Sequence, residues 1–244
     1  MQTKETSRNI TRGFSLIESL ISLALFLFIL VISFEFFIST RNHFFNLRED
    51  QERNQAAYAT LDKIRLDICE SGRGLLTPQS YGLLEAIRMS GDSLIIQSRD
   101  RDLVCDNNLV AGQTYLSLTS TTGIHKHQAL CIYDREKGEL NTVISVDSRG
   151  VVLASPLNSS YTKEEAEVIL IRTISFYLDI KRGILRRKVN TSAAQPLLED
   201  VALFDFVYDA AFKIVSLRLT LTSQEEKEYE ISVFSKNLAL VPTP

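Results

Sequence analysis

Gly13-Phe14-Ser15-Leu16-Ile17-Glu18, followed by a run from Ser19 to Phe34 without charge, glycine or proline, is the stretch that decides the fold. The residues before it, Met1–Gly13, carry Lys4, Arg8 and Arg12 against one acid, Glu5, a net charge of +2. Glu18 is the one ionisable group in the first turns of the apolar run. A carboxylate placed inside a bilayer costs roughly 2.5–3.5 kcal/mol on insertion scales, so an acid kept there marks a function. A secretory signal would set its apolar core directly after the basic region and end it in a small-residue cleavage site. Here the small residue, Gly13, comes before the apolar run, and a cut there leaves the run on the mature chain.

Working outward, no glycine or proline occurs between Phe14 and Ser71, so nothing obliges a helix to stop. At 1.5 Å per residue, about 55 helical residues reach roughly 80 Å. That is more than twice the bilayer's apolar thickness of about 30 Å. Residues 14–40 are therefore predicted to span a membrane. Residues 41–71 read as an amphipathic half, with Leu47, Tyr58, Leu61, Ile64 and Ile68 at near-helical spacing among charges. Gly72-Arg73-Gly74 and Pro78 supply the stop.

Residues 72–244 read as a β-rich head. Short strand candidates are Leu94–Gln97, Tyr115–Leu118, Ala129–Tyr133, Thr142–Val146 and Val151–Ala154. Longer ones are Glu167–Thr173, Ser175–Ile180, Ile184–Val189, Val201–Tyr208, Ile214–Leu221 and Glu230–Lys236. Lys181-Arg182-Gly183 is a good hairpin turn. No second long helix is available for a parallel crossover, so the class is α+β: a long N-terminal membrane-spanning helix packed on an antiparallel β-sheet head.

At 244 residues the chain suits one anchor and one domain. The formal charge of −3 becomes −5 without the leader, which gives no electrostatic reason to expect nucleic-acid binding. Positive charge ahead of the apolar run places the leader in the cytoplasm and the remainder in the periplasm or outside. Three cysteines cannot all pair within one chain. A Cys105–Cys131 disulfide between two β-region residues, with Cys69 on the helix, and three reduced buried thiols both fit.

The head lacks the G-x-S-x-G, H-E-x-x-H, P-loop and G-x-G-x-x-G motifs, so no catalytic residue, cofactor or metal is expected. His125 and His127 read as an exposed loop pair. Asp100, Asp102 and Asp106, with Asn107 and Asn108, offer oxygen ligands of the kind calcium takes. They lack the EF-hand order, however, and Arg99 and Arg101 interleave them. Glu225-Glu226-Lys227-Glu228 reads as a charged turn.

The N-terminus resembles the class III signal of type IV prepilins and type II secretion pseudopilins. Leader charge, small-residue junction, acid and apolar run occur in the order that family requires. The resemblance implies cleavage by prepilin peptidase between Gly13 and Phe14, N-methylation of Phe14, and an assembly role for Glu18 as partner of the Phe14 amine in the same or a neighbouring subunit. An uncleaved anchor is the alternative. Glu35 departs from major pilins, which often have a proline in this part of the helix. Thr121-Thr122-Gly123-Ile124, Gln195-Pro196-Leu197-Leu198-Glu199-Asp200-Val201 and Asn237-Leu238 resemble PilW-like minor pilins, with GspJ-like pseudopilins next.

That likeness implies a minor pilin that primes assembly of a type IV pilus or sits near its tip. Its partners would be prepilin peptidase, other minor pilins or pseudopilins, the major pilin, the inner-membrane assembly platform and the lipid bilayer. Its place would be the bacterial inner membrane with a periplasmic head, and afterwards the pilus or pseudopilus. A J-type pseudopilin of type II secretion, a DNA-uptake pilus subunit, and a membrane-anchored enzyme or adhesin with a β-domain are the other readings.

Overall fold

A computed structural model describes residues 15–222 and 227–240. Helix α1 runs Leu16–Cys69, as a stretch without helix breakers predicts. The chain divides into two units, Met1–Gln55 and Ala56–Pro244. In the first, every described residue through Glu52 is exposed. Arg48 pairs with Glu52 and Arg53 with Glu49, each at 2.8 Å and four residues apart. Such pairs support a bare helix by a few tenths of a kcal/mol each.

In the second unit α1 acquires a buried face, made by Ala57, Thr60, Leu61, Ile64, Asp67 and Ile68. Steps of three and one residues keep these positions on one side of the helix. Leu47 and Tyr58 were predicted for the same stripe but are 65% and 64% exposed. Tyr58 sits one residue, about 100° of rotation, from Ala57, and instead meets Tyr229 edge-on, with ring centroids 5.4 Å apart. After α1, Gly72 turns at φ +72°, where a Cβ would also lie 2.6 Å from Leu238. A short helix, α2, follows over Leu76–Ser80.

The strands are β1 (Ile87–Ser90), β2 (Ser93–Leu103), β3 (Tyr115–Ser117), β4 (Ala129–Tyr133), β5 (Gly138–Val146), β6 (Gly150–Leu153), β7 (Glu167–Asp179), β8 (Ile184–Val189), β9 (Gln195–Leu198), β10 (Val201–Asp209), β11 (Ile214–Leu221) and β12 (Lys227–Phe234). All pairings between them are antiparallel. Nine strands form one sheet in the order β1-β2-β7-β4-β5-β6-β3, with β8 on β7 and β9 on β8; β10-β11-β12 form a second sheet. The sequence reading missed the short β1 and β9. It also placed Lys227 and Glu228 in a turn, whereas both belong to β12.

The long strand β7 was expected as two. It is continuous because its halves solve different burial problems. Val168 and Leu170 enter one apolar cluster while Ile169 and Ile171 enter another on the opposite face. Beyond them Ile174 and Phe176 alternate into a third. An uninterrupted apolar run followed by strict alternation mimics two separate strands. On one edge β7 pairs first with β4 and then with β8. Between the two, Asn190 at φ +49° gives its N–H to the Thr173 carbonyl at 2.7 Å and accepts the Thr173 N–H at 2.8 Å.

The largest cluster joins the buried face of α1 to β1, β2, β7 and β8 and to the inner face of the three-stranded sheet. One ion pair sits beside it. Arg187 on β8 donates through Nε and a terminal nitrogen to both oxygens of Asp67 on α1, at 2.7 and 3.2 Å. The two side chains are only 8% and 7% exposed.

Candidate functional site

The first turn of α1 is closed by the Ser15 carbonyl, which accepts the backbone N–H of Glu18 at 3.0 Å and of Ser19 at 3.1 Å. Glu18 is the acidic residue of that turn, a position where the partial positive charge of a helix N-terminus favours a carboxylate. Among the described residues none donates a hydrogen bond to it. Leu16, Ile17, Leu20 and Ile21 around it are exposed, as are the large apolar side chains that continue through Ile38. Exposed apolar residues occur at consecutive positions, so the helix is apolar on every side. Such a helix needs lipid or other helices against it, and α1 is the one described helix long and apolar enough to cross a membrane.

Length then fixes where the acid lies. The uncharged run Ser19–Phe34 has 16 residues, about 24 Å of helix, which falls short of an apolar layer of about 30 Å. Any layer this segment spans takes in Glu18, Glu35 or both. In that low dielectric an ionised carboxylate is costly unless a cation makes a close, hydrogen-bonded pair with it. Gly13 and Phe14, the expected processing pair, lie outside the described residues.

The other sequence candidates are dispersed by the fold. Asp102 pairs with Arg99, Asp100 accepts from the buried Gln128 at 3.2 Å, and Asp106 accepts from Ser117 and Thr119 at 3.1 and 2.9 Å. Among the described residues no three His, Cys, Asp or Glu side chains gather as a metal site would require. His125 and His127 are both exposed.

The Cys105–Cys131 pairing is corrected: all three cysteines are free. Cys105 lies with Leu116 and Leu118, and Cys131 with Ile169 and Ile171, in separate clusters. Burial, aided by Asp106, pushes the Cys105 thiol up to about 11. Burial, aided by Glu139, pushes that of Cys131 up to about 12. In the folded protein at pH 8 a thiol reagent is expected to modify Cys69 alone, and in denaturant all three. A total of one would restore the disulfide. An unfolded thiol titrates near its ordinary 9.0, while the folded ones keep their protons to about 11 and 12. Head stability should therefore be intact below pH 9 and fall as pH rises from there.

A comparison with known families finds the prokaryotic N-terminal methylation motif over residues 8–34. The chain carries the signature of a type IV pilin or pseudopilin. The match takes in the expected Gly13-Phe14 junction, Glu18 and the uncharged run, and ends where that run ends. It implies processing by prepilin peptidase and assembly with other pilins, and the apolar helix fits anchoring in the inner membrane. No curated protein matches the chain.

Among solved structures, the Gp54 tailspike of Acinetobacter baumannii bacteriophage AP22 overlaps 32% of this chain at 18% identity and a TM-score of 0.27. The tailspike gp49 of Pseudomonas phage LKA1 overlaps 29% at 18% identity and a TM-score of 0.25. The chain spans about 15% and 14% of those proteins, and overlaps this slight carry no argument.

Sequence reasoning missed Asp67, Arg187 and Asn237, which hold the head to the end of α1. Asp67 carried a signal, since a charge beside Ile64 and Ile68 sits on the apolar stripe and needs a partner. Nothing in the sequence marked Arg187 as that partner.

Proposed function

We propose that this protein is a minor pilin of the PilW-like kind, which primes a type IV pilus or caps it near the tip. The carrying observation is the methylation motif on a helix apolar on every side with one acid in its first turn. Cleavage after Gly13 frees the Phe14 amine, and Glu18 offers it the anionic partner in the same or the next subunit. Residues 14–40 then form the helical core of a filament, and repetition of that head-to-tail contact builds a helix rather than a ring. A head with twelve strands among its described residues is bulky for dense packing along a shaft, which favours a low-abundance subunit. The role is one of assembly rather than catalysis, with the head in the periplasm before incorporation.

Intact mass and N-terminal sequencing from the native host test the first step. The wild-type chain is expected to begin at methylated Phe14, and Gly13→Arg to retain the leader. A normal mature mass in that variant would show that cleavage does not occur between Gly13 and Phe14. Glu18→Ala should insert into membranes as before but lose co-purification with partner pilins; unchanged co-purification and piliation would sink the role given to Glu18.

A further inference from the structure

Among the described residues the sheets end in five terminal strands, and four are unsuited to pairing with another chain. Strand β1 has four residues, β3 has three, β9 contains Pro196, and β12 carries Lys227, Glu228 and Glu230. Short length, proline and charge are the devices by which natural sheets protect their edges. Strand β10 is neither short nor interrupted by proline; its charges are Asp205 in the middle and Asp209 at the end, and its one irregularity lies between Val201 and Leu203, ahead of Phe204–Tyr208. Its nine residues, Val-Ala-Leu-Phe-Asp-Phe-Val-Tyr-Asp, contain no proline and no cation.

Among the described residues β11 is the one strand that pairs with β10. Val201 gives its N–H to the Gly183 carbonyl at 2.8 Å, the one β10 residue among those described with a backbone bond outside the ladder. The Phe206 N–H is taken by the carboxylate of Asp205 at 2.8 Å, so it points away from β11. By the two-residue period of a strand, Phe204 and Tyr208 point their backbone groups the same way. Two clefts follow this edge. One, of about 410 Å³, is lined by Ala202–Phe206 with Ile180 and Met89. The next, of about 510 Å³, is lined by Tyr208, Lys213 and Met89. Val207, between them on the outer face, is 59% exposed.

We propose that β10 is a docking edge that receives an extended segment of a different subunit as a fourth strand, with a basic residue opposite Asp205. Charge decides against a second copy of this chain. Pairing β10 with itself in full register, in either direction, sets Asp205 against Asp205, and like charges directly opposite are destabilising. In the unpaired head Asp205 occupies the Phe206 N–H. A basic residue on the incoming strand draws the carboxylate off and frees that donor for the ladder. That the segment comes from another subunit rests on the assembly reading above.

The test places a photo-crosslinking residue at Val207 of the full-length chain in its native host, with Glu230 on the opposite edge as control. The expected product from Val207 is an adduct to a heterologous chain that has its own methylated apolar N-terminus. Sequencing of the cross-linked peptide should find a basic residue within the segment that pairs with β10, and an acidic or neutral segment overturns the proposal. Adding Asp205→Lys should lower the yield by up to about fivefold. Leu203→Lys serves as a second variant if loss of the Asp205–Phe206 bond loosens β10. An adduct of the chain to itself, an equal yield from Glu230, or no adduct overturns the proposal. The mature mass of the same sample separates the two readings. An adduct on an unprocessed chain keeps the docking edge and removes the pilus, whereas a processed chain without one does the reverse.

Discussion

Replacing Asp67 with alanine is expected to destabilise the head by about 3–5 kcal/mol, the cost of leaving a buried charge without its partner. Arg187 is 8% exposed on its side chain and has both of its carboxylate bonds invested in Asp67. Without Asp67 the guanidinium stays charged in an apolar setting or drags β8 toward water. Arg187→Ala should cost a similar amount for the converse reason. Replacing both together, as Asp67→Leu with Arg187→Met, should recover most of the loss, because an apolar pair of similar volume is often neutral or stabilising. Chemical denaturation of the three variants in the same detergent checks this. Equal damage from the double and the single replacements would mean that the pair acts through shape and not through charge. The pair joins the last turns of α1 to the sheet, so its loss should also free the end of the helix from the head.

The second large effect is expected at the other end of the chain. Leu238→Ala should cost about 2–5 kcal/mol, in the range of buried leucine truncations, since Leu238 is buried in the main cluster and packs on Gly72. Asn237→Ala should cost about 1–3 kcal/mol through carbonyls left unsatisfied. Its side-chain amide donates to the carbonyls of Cys69 and Ser71 at 2.9 and 3.0 Å. Those are groups that a helix terminus leaves without intrahelical partners. Ser235 adds a buried hydroxyl contact to Ser71 at 2.5 Å. Closing segment and helix end therefore form one unit, and removing residues 236–244 should lower the midpoint of head unfolding at least as far as Leu238→Ala does. A truncated chain as stable as the full one would show that the helix end is capped by water instead.

Much of this was legible in the sequence. The absence of glycine and proline from Phe14 to Ser71 marked one long helix, because a span without breakers propagates as helix once lipid or packing covers its apolar sides. Charge order across Gly13, Glu18 and the Ser19–Phe34 run located the candidate site, because bilayer insertion responds to local composition. Strands β4, β8 and β11 were found to the residue, since alternation and turn residues are local signals. What depends on distant contacts was out of reach. Which residues of α1 are buried was decided by where the sheets cover it, so Ala57 and Thr60 are inside and Leu47 is not. The continuity of β7 was decided by a change in how many of its faces are covered. Cys105 and Cys131 are kept apart by the two faces of one sheet. The pairing of Asp67 with Arg187 across 120 positions, the capping of α1 by Asn237, and the edge position of β10 exist only once the strands are ordered. Local sequence sets the energy of each element, while burial and hydrogen-bond closure between elements are properties of the whole chain.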